Sequence, residues 1–235
     1  MPGILDPIIL RGKTVKNRIV MPPIVCFGWS SDDGFPLEAL LEHYRRRAAS
    51  GIGLVVVEAT CVLPEGRLAV PQLGLWDDRQ TEGLRKIADV LHASGAAALV
   101  QLHHAGRVTA SAACPDPVGP SDWAASPAAV GQRSVRRSAG HARAASIAEL
   151  ENIREAFIQA AIRAADAGFD GVELHAAHGY LLSQMASSVA NQRTDRYGGS
   201  PENRVRLATE IIHGIRDAVR PNRPGFILSA RMGGY

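Results

Sequence analysis

Two imidazoles and a phenol fall within one short stretch, His175-Ala-Ala-His178-Gly-Tyr180, at the end of the segment 171–175. A buried strand ending there projects all three into one pocket. Two neutral imidazoles can donate hydrogen bonds to a carbonyl oxygen on which negative charge develops, and a nearby phenol can deliver a proton. Two other readings of these histidines stay open. One is a metal pair, which needs further ligands; the other is two structural histidines satisfied in the core. Gln101, in the apolar run 96–102, is an amide able both to donate and to accept toward the edge of a heterocycle. Arg231 places a permanent cation after another apolar run, where an anionic ring would be stabilised.

These groups meet only if the segments that carry them are neighbouring strands. The run 18–21 leads through a turn to Pro36, read as a first helical position, and to Leu37, Leu40, Leu41, Tyr44 and Ala48 at helical spacing. Gly51 ends that helix, and 54–57 is a continuous β-branched run of the kind found in strands buried on both faces. Asp77 and Asp78 precede a second helix with Leu84, Ile87, Ala88 and Leu91 on one face, and Gly95 closes it before the strand 96–102. Ser146 and Glu149 fit a capping box for a helix carrying Ile153, Phe157, Ala160 and Ala164, which Gly168 stops before the strand 171–175. The turn Tyr197-Gly198-Gly199-Ser200 is read as the start of a last helix carrying Val205 to Val219, in preference to a phosphate-binding nest, followed by a fifth strand over 226–230.

The same junction recurs as ASGIGLVVV (49–57), ASGAAALVQ (93–101) and DAGFDGVEL (166–174). Repeated strand–helix units predict a parallel sheet. Right-handed crossovers put every strand's carboxyl end on one rim, where active sites of barrels and doubly wound folds lie. That rim collects Val25 and Cys26, then Glu58, then Gln101, His103 and His104, then His175 and His178, then Arg231.

Composition bounds the rest. With 235 residues, 46% hydrophobic and 21% charged, the chain is long enough to bury one large core without staples. A single domain over 1–235 is expected. No secretory leader and no apolar run of about 18 residues is present, so neither export nor a membrane partner is expected. Three cysteines without CxxC suggest neither a disulfide framework nor a thiolate metal site, which makes a reducing cytoplasm the default. Net charge +3 with one basic stretch over 133–143, lacking interleaved aromatics, reads as a solvated loop and not as a nucleic-acid site. Neither the Rossmann GxGxxG nor the Walker pattern occurs, so any nicotinamide binds without a Rossmann domain. Residues 103–145, with Pro115, Pro117, Pro120 and Pro127, are expected to form a capping excursion over the rim.

As a set, NRIVMPP (17–23), VVVEAT (55–60), ALVQLHHAGR (98–107), GFDGVELHAAHGYLLSQ (168–184) and NQRTDRYGGSPENR (191–204) closely resemble the Old Yellow Enzyme family of NADH:flavin oxidoreductases. The resemblance runs through essentially the whole chain and implies an α/β fold, the FMN-binding (β/α)₈ TIM barrel. Five of its eight strand–helix units are counted here, so an incomplete, C-terminally truncated barrel is expected. The resemblance implies FMN contacts from Pro23, Ile24, Val25 and Ala59, from Gln101 on the pyrimidine edge, and from Arg231 near N1 and O2. It places the substrate's carbonyl oxygen on His175 and His178. NADH or NADPH would reduce FMN, hydride from flavin N5 would pass to the β-carbon of an activated alkene such as an enone or enoate, and Tyr180 would supply the α-carbon proton.

Some positions depart from the family pattern. Where relatives often carry Thr or Cys this chain has Val25, with Cys26 one place later, and Phe27 stands where some relatives carry a substrate-facing Tyr. The family's phosphate site falls beyond the strands counted here. A homo-oligomer, or a separate C-terminal half, is expected to complete the barrel. The alternatives are a non-catalytic half-barrel without the phosphate site and, more distantly, a metal-dependent barrel hydrolase using His175 and His178.

Overall fold

The structure, a computed structural model, describes residues 1–125 and 138–233. Pro127 of the excursion, and Arg133, Arg136 and Arg137 of the basic stretch, lie outside these residues. The chain opens with an antiparallel hairpin, β1 (Ile8–Leu10) and β2 (Lys13–Val15). Then follow β3 (Val20–Met21), α1 (Glu38–Ala48), β4 (Leu54–Cys61), α2 (Gln80–Ala93) and β5 (Ala97–His103). Among its described residues the excursion carries three short strands, β6 (Val118–Gly119), β7 (Trp123–Ala124) and β8 (His141–Ala144), paired in the order β6-β8-β7. The chain continues through α3 (Ile147–Asp166), β9 (Gly171–Ala176), α4 (Leu181–Ala186), α5 (Pro201–Val219) and β10 (Ile227–Met232).

The main sheet has the order β10-β9-β5-β4-β3 and every pairing in it is parallel. With a helical crossover between successive strands, it is an arc of the (β/α)₈ architecture. The junction glycines do what their repetition implies. Gly51, Gly95 and Gly168 adopt φ of +89°, +70° and +91°, a left-handed conformation that ends a helix at little cost only for glycine. The capping box of α3 is complete: Ser146 Oγ accepts from the Glu149 N–H at 3.2 Å, and Glu149 accepts from the Ser146 N–H at 2.8 Å. Such a cap contributes about 1 kcal/mol. Ser200 caps α5 in the same sense, ahead of Pro201.

Side chains alternate across each strand, and the two faces have separate tasks. Val55, Val57, Ala98, Val100, Leu102, Val172 and Leu174 face the helices and pack with Tyr44, Leu84, Ile87, Leu91, Phe157 and Ile211. On the inner face, Leu54, Val56, Ala97, Leu99 and Ile227 form a second apolar cluster with Val15, against which Ile8 and Leu10 pack. The N-terminal hairpin thus closes the amino ends of the strands. Further along, the inner face turns polar, with Gln101 and His103 on β5, Glu173 and His175 on β9, and Ser229 and Arg231 on β10. Nothing in the fold contains a helix, among the described residues, long and apolar enough to cross a membrane.

Several boundaries differ from the sequence reading. Pro36 does not open α1: it pairs with Ser30 in an extended bridge, the Leu37 N–H donates to the Trp29 carbonyl, and Leu37 is the cap residue. β4 runs on to Cys61, because Glu58 and Thr60 are buried within it with partners: Glu58 accepts from the Cys26 N–H, its own N–H donates to the Tyr44 hydroxyl, and the Thr60 hydroxyl donates to the Glu58 carbonyl. The excursion is anchored by Arg193 of the NQRTDRYGGS segment. Its guanidinium donates to the carbonyls of Pro120 at 3.0 Å and Ala145 at 2.5 Å and pairs with Asp195 at 2.6 Å. One side chain therefore ties both flanks of the excursion to the segment before α5.

At the base of β9, a methyl group on Gly171 would press on the Ile227 carbonyl and side chain. Gly171→Ala is expected to cost about 2–3 kcal/mol through overpacking that β10 cannot relieve without leaving its register. Urea unfolding would read this as a lower midpoint at unchanged slope; an unchanged midpoint would show that β10 approaches β9 less closely.

Candidate active site

The carboxyl end of β9 delivers the aromatic cluster. His175 is buried on the strand, and the chain then turns through His178 and Gly179, both left-handed at φ +57° and +73°. This turn sets the exposed His178 ring edge-on to His175, with centroids 5.0 Å apart at 80°. Tyr180 packs edge-to-face on His175 at 4.8 Å and on His103 of β5 at 4.6 Å. A left-handed non-glycine residue is uncommon and costs free energy, so the turn needs a brace. Buried Gln184 of α4 supplies it, donating to the carbonyls of Ala105 and Gly179 at 3.0 and 2.7 Å while its oxygen accepts from the Arg107 N–H. The loops after β5 and β9 are locked together by that amide.

Burial sets the protonation of these groups. It lowers the His175 imidazole to about 3, aided by His178 and Arg231, and it lowers His178 as well. Tyr180 is raised by burial, with Cys61 adding to the effect. At neutral pH the cluster therefore holds uncharged imidazoles and an intact phenol. The Ala177 N–H lies 3.4 Å from His175 Nδ1, which makes Nδ1 the acceptor and leaves the proton on Nε2. The arrangement offers N–H donors toward an oxygen and one O–H proton beside them.

The rest of the inner face adds a polar floor. Gln101 and Glu173 are register partners, and Gln101 Nε2 donates to Glu173 Oε1 at 2.8 Å. Arg231 is the register partner of His175. Beyond β3, residues 22–26 have no regular structure and are tied to β4 where the Cys26 N–H donates to Glu58 Oε2 at 3.2 Å. Glu58 is fully buried, its Oε1 has no partner among the described residues, and burial lifts its carboxyl to about 7. Beside it, burial and the Glu58 carboxyl push the Cys26 thiol to about 12, which suits a structural thiol better than a reactive one. An amide, a guanidinium and irregular backbone along one rim fit a planar heterocycle with a polar edge. The ring-side residues present thus fit a flavin.

The structure brings His175, His178 and Tyr180 into mutual contact, and pairing sets Arg231 next to His175. Gln101 stands one strand over, two residues below His103. Pro23, Ile24, Val25 and Ala59 lie on the β3–β4 side, where Ala59 is buried and Ile24 exposed. Sequence reasoning missed Glu173 and Gln184. The alternation of Gly171, Glu173 and His175 against Val172 and Leu174 would have placed Glu173 beside the site. Among the described residues no three His, Cys, Asp or Glu side chains are grouped to hold a metal. A pocket of about 200 Å³, lined in part by Leu63, His104, Cys114, Asp116 and Arg143, includes none of His175, His178 and Tyr180.

The sequence signature of the NADH:flavin oxidoreductase / NADH oxidase family matches residues 3–233. Among solved structures, the Old Yellow Enzyme homologue from Zymomonas mobilis is 33% identical with a TM-score of 0.85, over 97% of this chain and 63% of that one. Morphinone reductase in complex with tetrahydroNAD is 32% identical with a TM-score of 0.85, over 98% and 64%. The complex of 2-naphthoyl-CoA reductase with 2-naphthoyl-CoA is 30% identical with a TM-score of 0.86, over 96% and 34%. The chain therefore spans from about a third to just under two thirds of the length of these proteins.

Glu58 yields a pH prediction. Its carboxyl sits at about 7 in the fold against an ordinary 4.5, so between these values the folded state binds more protons than the unfolded one. Its contribution to stability is then fully present below about 4.5, is lost as pH rises through about 7, and stays lost above. Glu58→Gln is expected to match the wild type near pH 4 and to exceed it by roughly 3 kcal/mol at pH 8. The buried imidazoles act with the opposite sign but are common to both proteins. Urea unfolding of the pair across this range would refute the assignment if the two stability curves ran parallel.

Proposed function

The chain belongs to the NADH:flavin oxidoreductase / NADH oxidase family, and from that premise we propose that it is an FMN-dependent oxidoreductase that takes hydride from NAD(P)H and reduces activated alkenes. The observation that carries this reading is the meeting of His175, His178 and Tyr180 at the end of the strand whose neighbours bear Gln101 and Arg231. When bound, FMN supplies the two-electron relay, accepting hydride from the nicotinamide and releasing it from N5 to the alkene. The tetrahydroNAD and 2-naphthoyl-CoA complexes of solved relatives support a nicotinamide donor and a small-molecule acceptor.

Gln101 would hold the pyrimidine edge of the ring, with Arg231 near N1 and O2 and with Pro23, Ile24, Val25 and Ala59 along its side. His175 and His178, uncharged and able to donate, would bind the carbonyl oxygen of an enone or enoate. Negative charge grows on that oxygen as the β-carbon is reduced, and donors fixed in a low-dielectric site stabilise it most at that stage. Tyr180 would deliver its proton to the α-carbon. A phenol kept protonated by burial is poised as an acid, and its packing between His103 and His175 fixes where the proton is offered. The three cysteines, none in a disulfide, support the cytoplasm as its place of action.

Tyr180→Phe keeps the ring packing and removes only the proton. In the flavin-loaded protein it is expected to slow alkene reduction by about 10²-fold or more while reduction by NAD(P)H stays within about twofold. Stopped-flow measurement of the two half-reactions separates these steps. A slowed reduction by NAD(P)H with alkene turnover intact would assign Tyr180 to the nicotinamide instead.

A further inference from the structure

A glutamine presents oxygen or nitrogen at the same place after a half-turn of its amide. At Gln101 the neighbouring strand decides between them. Glu173 is its register partner, and the two side chains meet at 2.8 Å from Gln101 Nε2 to Glu173 Oε1. An ionised carboxylate only accepts, so the amide nitrogen must face it and the half-turn is excluded. Burial raises the Glu173 carboxyl, and the Gln101 amide and Arg231 on the next strand act against that rise by favouring its ionised form. Gln101 is 1% exposed.

An apolar pair would have filled this layer at less desolvation cost, as Leu99, Val56 and Ile227 do one layer below. What the carboxylate adds is direction. We propose that Glu173 is a positioning residue that fixes the polarity of the Gln101 amide, so that the site offers a carbonyl acceptor and selects a heterocycle with an N–H on the facing edge, as the imide edge of a flavin has. The choice of ligand rests on the FMN reading above, whereas the orientation of the amide does not.

The test has two arms on the full chain. In the first, the Gln101 side-chain amide is followed by ¹H–¹⁵N NMR, with Gln101→Leu identifying its signals. One amide proton is expected well downfield in the wild type, where a carboxylate accepts from it, and at ordinary glutamine values in Glu173→Leu. In the second, FMN and N3-methyl-FMN are compared by quenching of flavin fluorescence. The wild type should prefer FMN by about tenfold, the loss typical of one hydrogen bond, and Glu173→Leu should prefer it by less than about threefold, as should Glu173→Gln, whose amide faces Gln101 with nitrogen as readily as with oxygen. Ordinary amide shifts in the wild type, or an undiminished preference in Glu173→Leu, would overturn the proposal. A downfield amide with neither flavin bound would leave the orientation standing and sink both the choice of flavin and the FMN reading.

Discussion

Everything at the rim depends on one register shared by β5, β9 and β10. Because side chains alternate, Gln101, Glu173, His175 and Arg231 share a face only while Gln101 pairs with Glu173 and Arg231 with His175. A slip of one residue would turn the whole set toward the helices. The register is fixed from below as much as from above. Leu54, Val56, Ala97, Leu99 and Ile227 meet Val15 on the inner face, while the opposite face is packed by α1, α2, α3 and α5. A polar layer is tolerated because apolar layers on both sides leave no better pairing.

The same burial that protects the register sets the charge state of the site. His175 and His178 are lowered, Tyr180 and Glu58 are raised, and in each the largest cause is removal from water. Groups shifted toward their uncharged forms at neutral pH can donate and accept without carrying a field that the reaction would have to overcome. Arg231, a permanent cation on this face, stands at the end of β10 beside His175. The left-handed turn that carries His178 is braced from outside the cluster, chiefly by Gln184 through Ala105, Arg107 and Gly179.

Much of this was legible from residue types and spacing. The glycine junctions marked where each helix stops and each parallel strand begins, and the strand ends then placed Gln101, His175, His178 and Arg231 on one rim. Pro36 misled because a proline suits a helix start and an extended bridge equally well, and only the Trp29–Leu37 pairing decides between them. The hairpin β1–β2 was hidden because its strands are three residues each, too short for a period. Glu173 and Gln184 act through partners more than 70 residues away in sequence, and local pattern cannot choose such partners. Arg193 was visible only as part of a motif, with its brace across the excursion supplied by the fold.

The site is tested most directly by a crystal structure of the chain grown with FMN. The expected result is the flavin ring lying across the ends of β5, β9 and β10, its pyrimidine edge at Gln101 and Arg231, with His175, His178 and Tyr180 beside one face. A ring bound elsewhere on the protein, or an intact rim with no ring across it at saturating FMN, would contradict the assignment of this face as the flavin site.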